Sequence, residues 1–243
     1  MALVGKVALV TGSGRNIGRA IALALADAGA DVVINARTNH GEAERVAEDA
    51  RKKGVKAIVC LADVSDPKAV QGMVDAARRE LGPIDILVNN AAVRPSMPFE
   101  KMTLQDWRGV IAGILDSAYI CSNAVVGDML ELGRGTIINI SGQTGQEGSV
   151  QRAHVVAAKA GLMGFTKALA REYATRGITV NAVSPGSIDT AGSNSVHAGS
   201  RVIPMQRRGR PEEIASICCY LASDEARYIT GQTISINGGS YMS

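Results

Sequence analysis

Near its beginning the chain reads Thr11-Gly12-Ser13-Gly14-Arg15-Asn16-Ile17-Gly18, between an apolar run at Lys6–Thr11 and an Ala- and Leu-rich pattern at Ile17–Ala28. This order predicts a buried strand, a glycine-rich turn and a helix. Free N–H groups at such a helix N-terminus bind a nucleotide pyrophosphate, and glycines let the backbone approach it. The spacing is not G-x-G-x-x-G, and Asn16 stands where a glycine is expected, although Asn tolerates left-handed geometry. Glycines can also serve turn geometry alone, but the position after the first strand favours nucleotide binding.

The alternation of strand and helix continues along the chain. Short apolar, β-branched runs predict strands at Lys6–Thr11, Asp31–Asn35, Lys56–Leu61, Ile84–Asn89, Thr136–Ser141, Thr179–Val183 and Thr233–Ile236. Helices are predicted at Ile17–Ala28, at Glu42–Lys53, after Asp66 and Pro67, from a Thr103–Asp106 capping pair to about Leu132, and from Pro211 onward. Continuous apolar strands alternating with helices predict an α/β fold with a doubly wound parallel sheet and helices on both faces.

Composition excludes several classes of protein. The chain has 243 residues, of which 46% are hydrophobic and 20% charged, which argues against disorder and coiled coils and suits one domain over residues 1–243. A net charge of +3 is too small to indicate nucleic acid or an anionic membrane surface. Four cysteines without a C-x-x-C pair and three histidines predict no metal site and a reducing, cytoplasmic location. There is no targeting peptide and no apolar run long enough to span a membrane.

One long irregular stretch follows the sixth predicted strand. It covers Ser184–Gly209 and is rich in Ser, Gly and Arg. Loops of that length are usually functional or mobile, so we expect a mobile lid at about residues 187–209.

The end of the second strand indicates which dinucleotide is bound. It reads Asn35-Ala36-Arg37 and lacks the acid that would bind the ribose hydroxyls of NAD. Arg37 and Arg15 are placed to bind a 2′-phosphate instead, which favours NADP(H) over NAD(H). The alternative is that Arg37 is a solvated loop residue.

Further motifs resemble those of the short-chain dehydrogenase/reductase family, nearest its 3-oxoacyl-[acyl-carrier-protein] reductase branch. They are Thr11-Gly12-x-x-x-Asn16-x-Gly18, Asp63-Val64, Asn89-Asn90-Ala91-Ala92, Lys159-Ala160-Gly161, Asn181-x-x-x-Pro185-Gly186 and the segment Gly231–Gly239. The resemblance implies a single Rossmann-type domain with a seven-stranded sheet, a nicotinamide cofactor and a homotetramer. With the turn and the two arginines, it assigns cofactor binding to Gly12, Arg15, Asn16, Ile17, Gly18, Arg37, Asp63, Val64, Asn90, Ala91, Lys159, Pro185, Gly186, Ile188 and Thr190.

The catalytic positions of that family are largely altered. Its Asn, Ser and Tyr correspond to Ile114, Gly142 and Val155, and Lys159 is the one group that remains. Reduction of a carbonyl places negative charge on oxygen, and a general acid typically contributes ~10²–10⁴ in rate. The three replacements supply neither a proton nor a hydrogen bond. Lys159 is therefore the main catalytic candidate, and it can also hold the nicotinamide ribose.

Two neighbouring residues are weaker candidates. His154 points about 100° away from the catalytic face of a helix, so a surface or interface histidine is the expected role. Glu147 could serve as a catalytic acid or base if it is partly buried, although a carboxylate in a loop is more commonly solvated. Ser141 lies one position early and is expected to point to the other side of its strand. Other polar residues expected near the cleft are Gln143, Arg94, Arg152 and Tyr119. The long loop carries a cluster of arginines that either bind a phosphorylated or carrier-bound substrate or are simply solvated: Arg201, Arg207, Arg208 and Arg210.

Three functions remain open from the sequence. The first is an NADP(H)-dependent oxidoreductase acting on a small carbonyl or alcohol with a non-standard active site. The second is a non-redox hydrolase or lyase on the same scaffold. The third is a catalytically silent cofactor-binding subunit. The scaffold favours the first, because enzymes of one fold change their chemistry through changes in the site.

Overall fold

One parallel sheet organises the described residues, 3–191 and 202–242, of a computed structural model of the protein. Its seven strands are β1 (Val7–Val10), β2 (Asp31–Ala36), β3 (Ala57–Leu61), β4 (Ile86–Asn89), β5 (Gly135–Ile140), β6 (Ile178–Pro185) and β7 (Thr233–Ile236). They lie in the order β3-β2-β1-β4-β5-β6-β7, and every neighbouring pair is parallel. The order reverses between β1 and β4, so a crevice opens there at the carboxyl ends of the strands.

Helices connect the strands on both faces of the sheet. Among the described residues they are α1 (Asn16–Asp27), α2 (His40–Arg51), α3 (Pro67–Glu80), α4 (Leu104–Ile111), α5 (Ser117–Leu132), α6 (Thr144–Glu147), α7 (Ala153–Tyr173) and α8 (Pro211–Ala222). The predicted capping residues are confirmed at α3, where Asp66 accepts from Lys68 N, and at α4, where Thr103 and Asp106 form a reciprocal capping box.

Strand alternation divides the apolar core into two layers. In β1, Ala8 and Val10 pack in the layer that contains the buried residues of α1, α2 and α8. Val7 and Leu9 point the other way and pack with buried residues of α3 and α5 and the end of α7. Both faces of the sheet are therefore covered, which explains the continuous apolar strands. The predicted doubly wound Rossmann-type fold is confirmed.

The long middle helix differs from the prediction. A π-helical turn at Ala112–Asp116 separates α4 from α5. Ser117 Oγ donates to the carbonyl oxygen of Ile114 at 3.3 Å in this turn. Gly113 lies so close to Val93 that a Cβ there would be 3.0 Å from Val93 Cγ2. The turn thus brings Gly113 up to the segment that follows β4.

The predicted lid is only partly described. Residues 192–201, including Arg201, lie outside the described residues. The chain before these residues is joined to the chain after them by a hydrogen bond, in which Asp189 N donates to Gly209 O at 2.7 Å. Ala191 N donates to Asn16 Oδ1 at 3.1 Å, so the described part of the segment reaches the glycine-rich turn. Movement of a lid at 187–209 stays a prediction.

One helical stretch is apolar enough to meet a simple test for a membrane span. Leu104–Leu132 contains an 18-residue window with a mean hydropathy of 1.5. Buried helices inside globular domains pass the same test. Here the stretch packs through Cys121, Val125 and Met129 into the layer under the sheet, so we infer no span from it.

Candidate active site

A cleft of about 1110 Å³ lies along the carboxyl ends of the strands. All fifteen residues predicted to bind the cofactor line it, from Gly12 in the first turn to Thr190 after β6. These residues come from the first turn of α1, from the segments at and after the ends of β1, β2, β3, β4 and β6, and from α7. The fold therefore assembles the predicted residues, while their individual roles stay predictions.

The glycine-rich turn forms a cradle that side chains would fill. Gly12 has a φ of +62° and Asn16 a φ of +51°, so Asn16 adopts the left-handed geometry expected of it. A Cβ on Gly18 would lie 2.6 Å from Asn90 Nδ2, which no side chain tolerates. Arg15 precedes α1, and no side chain among the described residues caps the first turn of that helix. Its N–H groups are thus available to an anion.

Hydrogen bonds fix the turn to the neighbouring strands. Gly12 N donates to Asn35 Oδ1 at 3.0 Å, and Asn90 Nδ2 donates to Thr11 O at 2.8 Å. Thr11 Oγ1 accepts from the backbone N–H groups of Asn90 and Ala91, at 2.9 and 3.0 Å. The switch point between β1 and β4 is therefore held together before any ligand binds.

The adenosine end of the cleft is positively charged. Arg15 and Arg37 are exposed, line the cleft and make no ion pair within the described part of the chain. Asp63 faces the same region, and its pKa is lowered by hydrogen bonds from Ser65, with a smaller effect of the Arg37 charge. Two unpaired guanidinium groups beside a glycine cradle fit a dinucleotide that carries an extra phosphate.

The catalytic corner of the cleft is apolar. Ile114 and Val155 are 2% and 1% exposed and pack together with Val110 and Ala158 in one small cluster. Gly142 lines the cleft and adds no functional group. The side chains at these three positions therefore supply neither a proton nor a hydrogen bond.

Lys159 is the ionisable group at this corner. Its Nζ is buried and donates to the carbonyl oxygen of Ile140 at 2.6 Å. Burial and, as a smaller cause, the positive charge of Arg94 together lower its pKa to about 7. At neutral pH the lysine is therefore poised between its charged and neutral forms.

The weaker catalytic candidates lie apart from the cleft. His154 is fully buried rather than at the surface, which corrects the expectation, since α7, the helix that carries it, packs against α4. Neither ring nitrogen has a hydrogen-bond partner among the described residues. Glu147 is exposed, does not line the cleft and accepts from Gln143 Nε2 at 2.8 Å. Tyr119 is 56% exposed and also lies outside the lining.

Other polar candidates have structural partners. Ser141 reaches the cleft wall, but its Oγ donates to Lys159 O at 2.9 Å, so the hydroxyl fastens β5 to α7. Gln143 Oε1 accepts from Ser240 Oγ at 2.9 Å. In the loop cluster, Arg207 forms an ion pair with Glu213 at 2.6 Å, whereas Arg208 lines the cleft.

Comparison with known proteins agrees with this geometry. A family model described as "Enoyl-(Acyl carrier protein) reductase" matches residues 12–241. The 3-oxoacyl-[acyl-carrier-protein] reductase of Pseudomonas aeruginosa is 44% identical, with 100% of both chains covered. The chain belongs to the short-chain dehydrogenase/reductase family. Reductases of the same name from Staphylococcus epidermidis and Escherichia coli are 41% and 42% identical, over 98% of this chain and 100% and 98% of theirs.

As a short-chain dehydrogenase/reductase, the chain is a member of a family of oxidoreductases and keeps that scaffold over its whole length. Sequence reasoning overlooked two residues that organise its cleft, Thr11 and Asn35. Each is a short polar side chain at the end of a strand, which is a weak signal without the neighbouring strand in view. Arg94 and Arg152 were noted separately, but only the fold places both on one wall of the cleft.

Proposed function

We propose that the protein is an NADP(H)-dependent oxidoreductase that acts on a small carbonyl or alcohol. The observation that supports this most is the cleft, which combines the glycine cradle, two arginines without an ion pair among the described residues at its adenosine end, and Lys159 at the other end. When bound, a nicotinamide cofactor supplies or accepts a hydride. The chain's own residues have to position it and handle the proton.

Cofactor choice is assigned to Arg15 and Arg37. Each charge-assisted hydrogen bond to the 2′-phosphate is worth about 1.5–3 kcal/mol, so Arg37→Ala should weaken NADPH binding about 10- to 100-fold. NADH, which lacks that phosphate, should bind both proteins similarly. Isothermal titration calorimetry measures both, with Arg79→Ala on the exposed side of α3 as the matched control. Equal losses for the two dinucleotides would contradict the assignment.

Proton transfer is assigned to Lys159. Ile114, Gly142 and Val155 carry no ionisable group, and the buried lysine is one helical turn after Val155 on the same cleft wall. A substrate oxygen that gains negative charge would take its proton from Nζ, which then stays neutral in the pocket. The pKa of about 7 suits that exchange at neutral pH.

Turnover of a panel of ketones and alcohols, followed by nicotinamide absorbance, tests this role. Lys159→Met should abolish turnover, while His154→Leu and Glu147→Gln should retain it. Calorimetry of Lys159→Met with NADPH then distinguishes two causes of lost turnover. Unchanged NADPH binding indicates a lost proton donor, and weakened NADPH binding indicates lost cofactor binding. Unchanged turnover in Lys159→Met would remove the lysine from the reaction.

The packed apolar corner favours a second candidate, a catalytically silent cofactor-binding subunit. In that case wild-type protein binds NADPH but turns over no member of the panel. Rebuilding the family residues together as Ile114→Asn, Gly142→Ser and Val155→Tyr should then create activity. Any wild-type turnover that depends on Lys159 contradicts this candidate. No observation in the cleft specifically favours a hydrolase or lyase, since Glu147 lies outside its lining.

We also propose a cytoplasmic homotetramer. The cysteines of the described chain are all free thiols, which agrees with a reducing compartment. Apolar side chains on and beside α4 and α5 are exposed in the single chain, among them Phe99, Leu104 and Tyr119 at 72%, 61% and 56%. Such a patch suits contact with further copies. Light scattering on the purified protein measures the number of subunits.

A further inference from the structure

Two arginines stand at the substrate end of the cleft on segments that are tied together. Arg94 lies in the segment after β4, and Arg152 directly precedes α7. Arg152 Nε donates to Ser96 Oγ at 3.0 Å, and Met97 N donates to Gln151 O at 2.7 Å. These two hydrogen bonds join the segments, so both guanidinium groups are held on the same wall.

This wall has an excess of positive charge. Arg94 makes no hydrogen bond or ion pair with any described residue, although its pKa is lowered by desolvation and by the Arg152 charge. Lys159, deeper in the same cleft, is in turn affected by Arg94. Among the described lining residues, the carboxylates are Glu42 and Asp63, which belong to the adenosine end.

The N-terminus of α7 adds to the same field. Arg152 is the residue before this 21-residue helix, and no side chain of the described chain caps its first turn. The positive end of the helix dipole and three cationic side chains therefore act on one pocket. Like charges held this close repel one another, and a bound anion relieves that repulsion.

We propose that the substrate of this cleft is an anionic oxo or hydroxy compound whose carboxylate or phosphate is bound by Arg94 and Arg152. The inference rests on the oxidoreductase activity proposed above, because it places the reacting carbonyl beside Lys159. Arg94, which has five N–H donors and no partner among the described residues, supplies a two-point hydrogen bond to the anion. Arg152 adds a second charge that Ser96 keeps in place. An uncharged ketone leaves both guanidinium groups without a counter-ion.

Binding to the NADP⁺-saturated protein tests the inference without requiring turnover. Saturation fills the phosphate sites around Arg15 and Arg37, so that an added anion reports on the other end. Calorimetry compares acetoacetate with methyl acetoacetate, and dihydroxyacetone phosphate with dihydroxyacetone. We expect one of the two anions to bind at least about tenfold more tightly than its neutral counterpart, and that pair identifies carboxylate or phosphate.

Variants assign the effect to the two arginines. Arg94→Gln and Arg152→Gln should each weaken binding of that anion about tenfold or more, whereas Arg79→Gln on the exposed side of α3 should not. Arg94 lies in the wall of the cleft and outside the apolar clusters of the core, so its variant tests charge without disturbing the core. Equal binding of charged and neutral compounds, no binding of either anion, or unchanged binding in Arg94→Gln would each overturn the inference.

The outcomes also separate this inference from the proposed activity. Anion binding that needs Arg94 but leads to no turnover supports the anion site and contradicts the oxidoreductase. Turnover of neutral ketones that is unaffected by Arg94→Gln supports the oxidoreductase and contradicts the anion site.

Discussion

Replacing Lys159 with Met should change how the stability of the protein depends on pH. The folded pKa of the lysine is about 7, against an ordinary value of 10.5. Below pH 7 the lysine is protonated in both folded and unfolded states, and burying its charge destabilises the fold in full. Above pH 10.5 it is neutral in both, and this destabilisation is gone. Stability of the wild type should therefore rise relative to Lys159→Met across that interval.

The size of the effect follows from the two pKa values. The full destabilisation is about 5 kcal/mol, and about 3 kcal/mol of it disappears between about pH 6.5 and about pH 9.5. Met also removes the hydrogen bond to Ile140 O, which leaves that carbonyl unsatisfied at a cost of about 1–3 kcal/mol at every pH. The variant should thus be the more stable protein near neutrality and lose that advantage as the pH rises.

Urea unfolding followed by circular dichroism at several pH values measures both free energies. The buried thiols titrate in both proteins and cancel in the difference, since Lys159→Met leaves them unchanged. Lys167→Met, an exposed lysine on the same helix, controls for the loss of one charge. If the difference in unfolding free energy between wild type and Lys159→Met stays constant with pH, Lys159 does not have a pKa near 7 in the folded protein. That result would also contradict its proposed role as the proton donor.

Three further changes have distinct expected outcomes. Gly18→Ala places a Cβ 2.3 Å from the backbone oxygen of Gly12 and 2.6 Å from Asn90 Nδ2, so the glycine-rich turn has to shift. Calorimetry should then show weakened dinucleotide binding while circular dichroism still shows a folded protein, and binding equal to that of the wild type would contradict the role of this turn as the cradle. His154→Leu removes a buried ring with two unpartnered nitrogens and should raise the unfolding free energy by about 1–3 kcal/mol in urea; a less stable variant would reveal a missed partner. Asp85→Ala removes the acceptor for Val7 N and Arg134 Nε and should cost about 2–3 kcal/mol, measured the same way, whereas an unchanged midpoint would contradict that role.

Local sequence signals were sufficient for the elements of the fold. Apolar runs with β-branched residues placed the strands to within a few residues, because both faces of the parallel sheet are covered. Thr103 and Asp106 marked the start of α4, since a capping box is built from backbone and side chains within one turn. The π-helical turn before Ser117 was missed. It depends on the approach of Val93 from a segment distant in sequence, and periodicity alone does not report that contact.

Some features of the candidate site, like those of the fold, followed from the sequence, and others required the tertiary structure. The sequence by itself determined the glycine-rich turn, the absence of an acid after β2 and the apolar or absent side chains of Ile114, Gly142 and Val155, because these depend on residue type at fixed positions. Tertiary structure alone decided the burial of His154, the shifted pKa of Lys159 and the pairing of Arg94 with Arg152. Burial and electrostatic interaction depend on distance in space, and the residues that create them here come from strands and helices far apart along the chain.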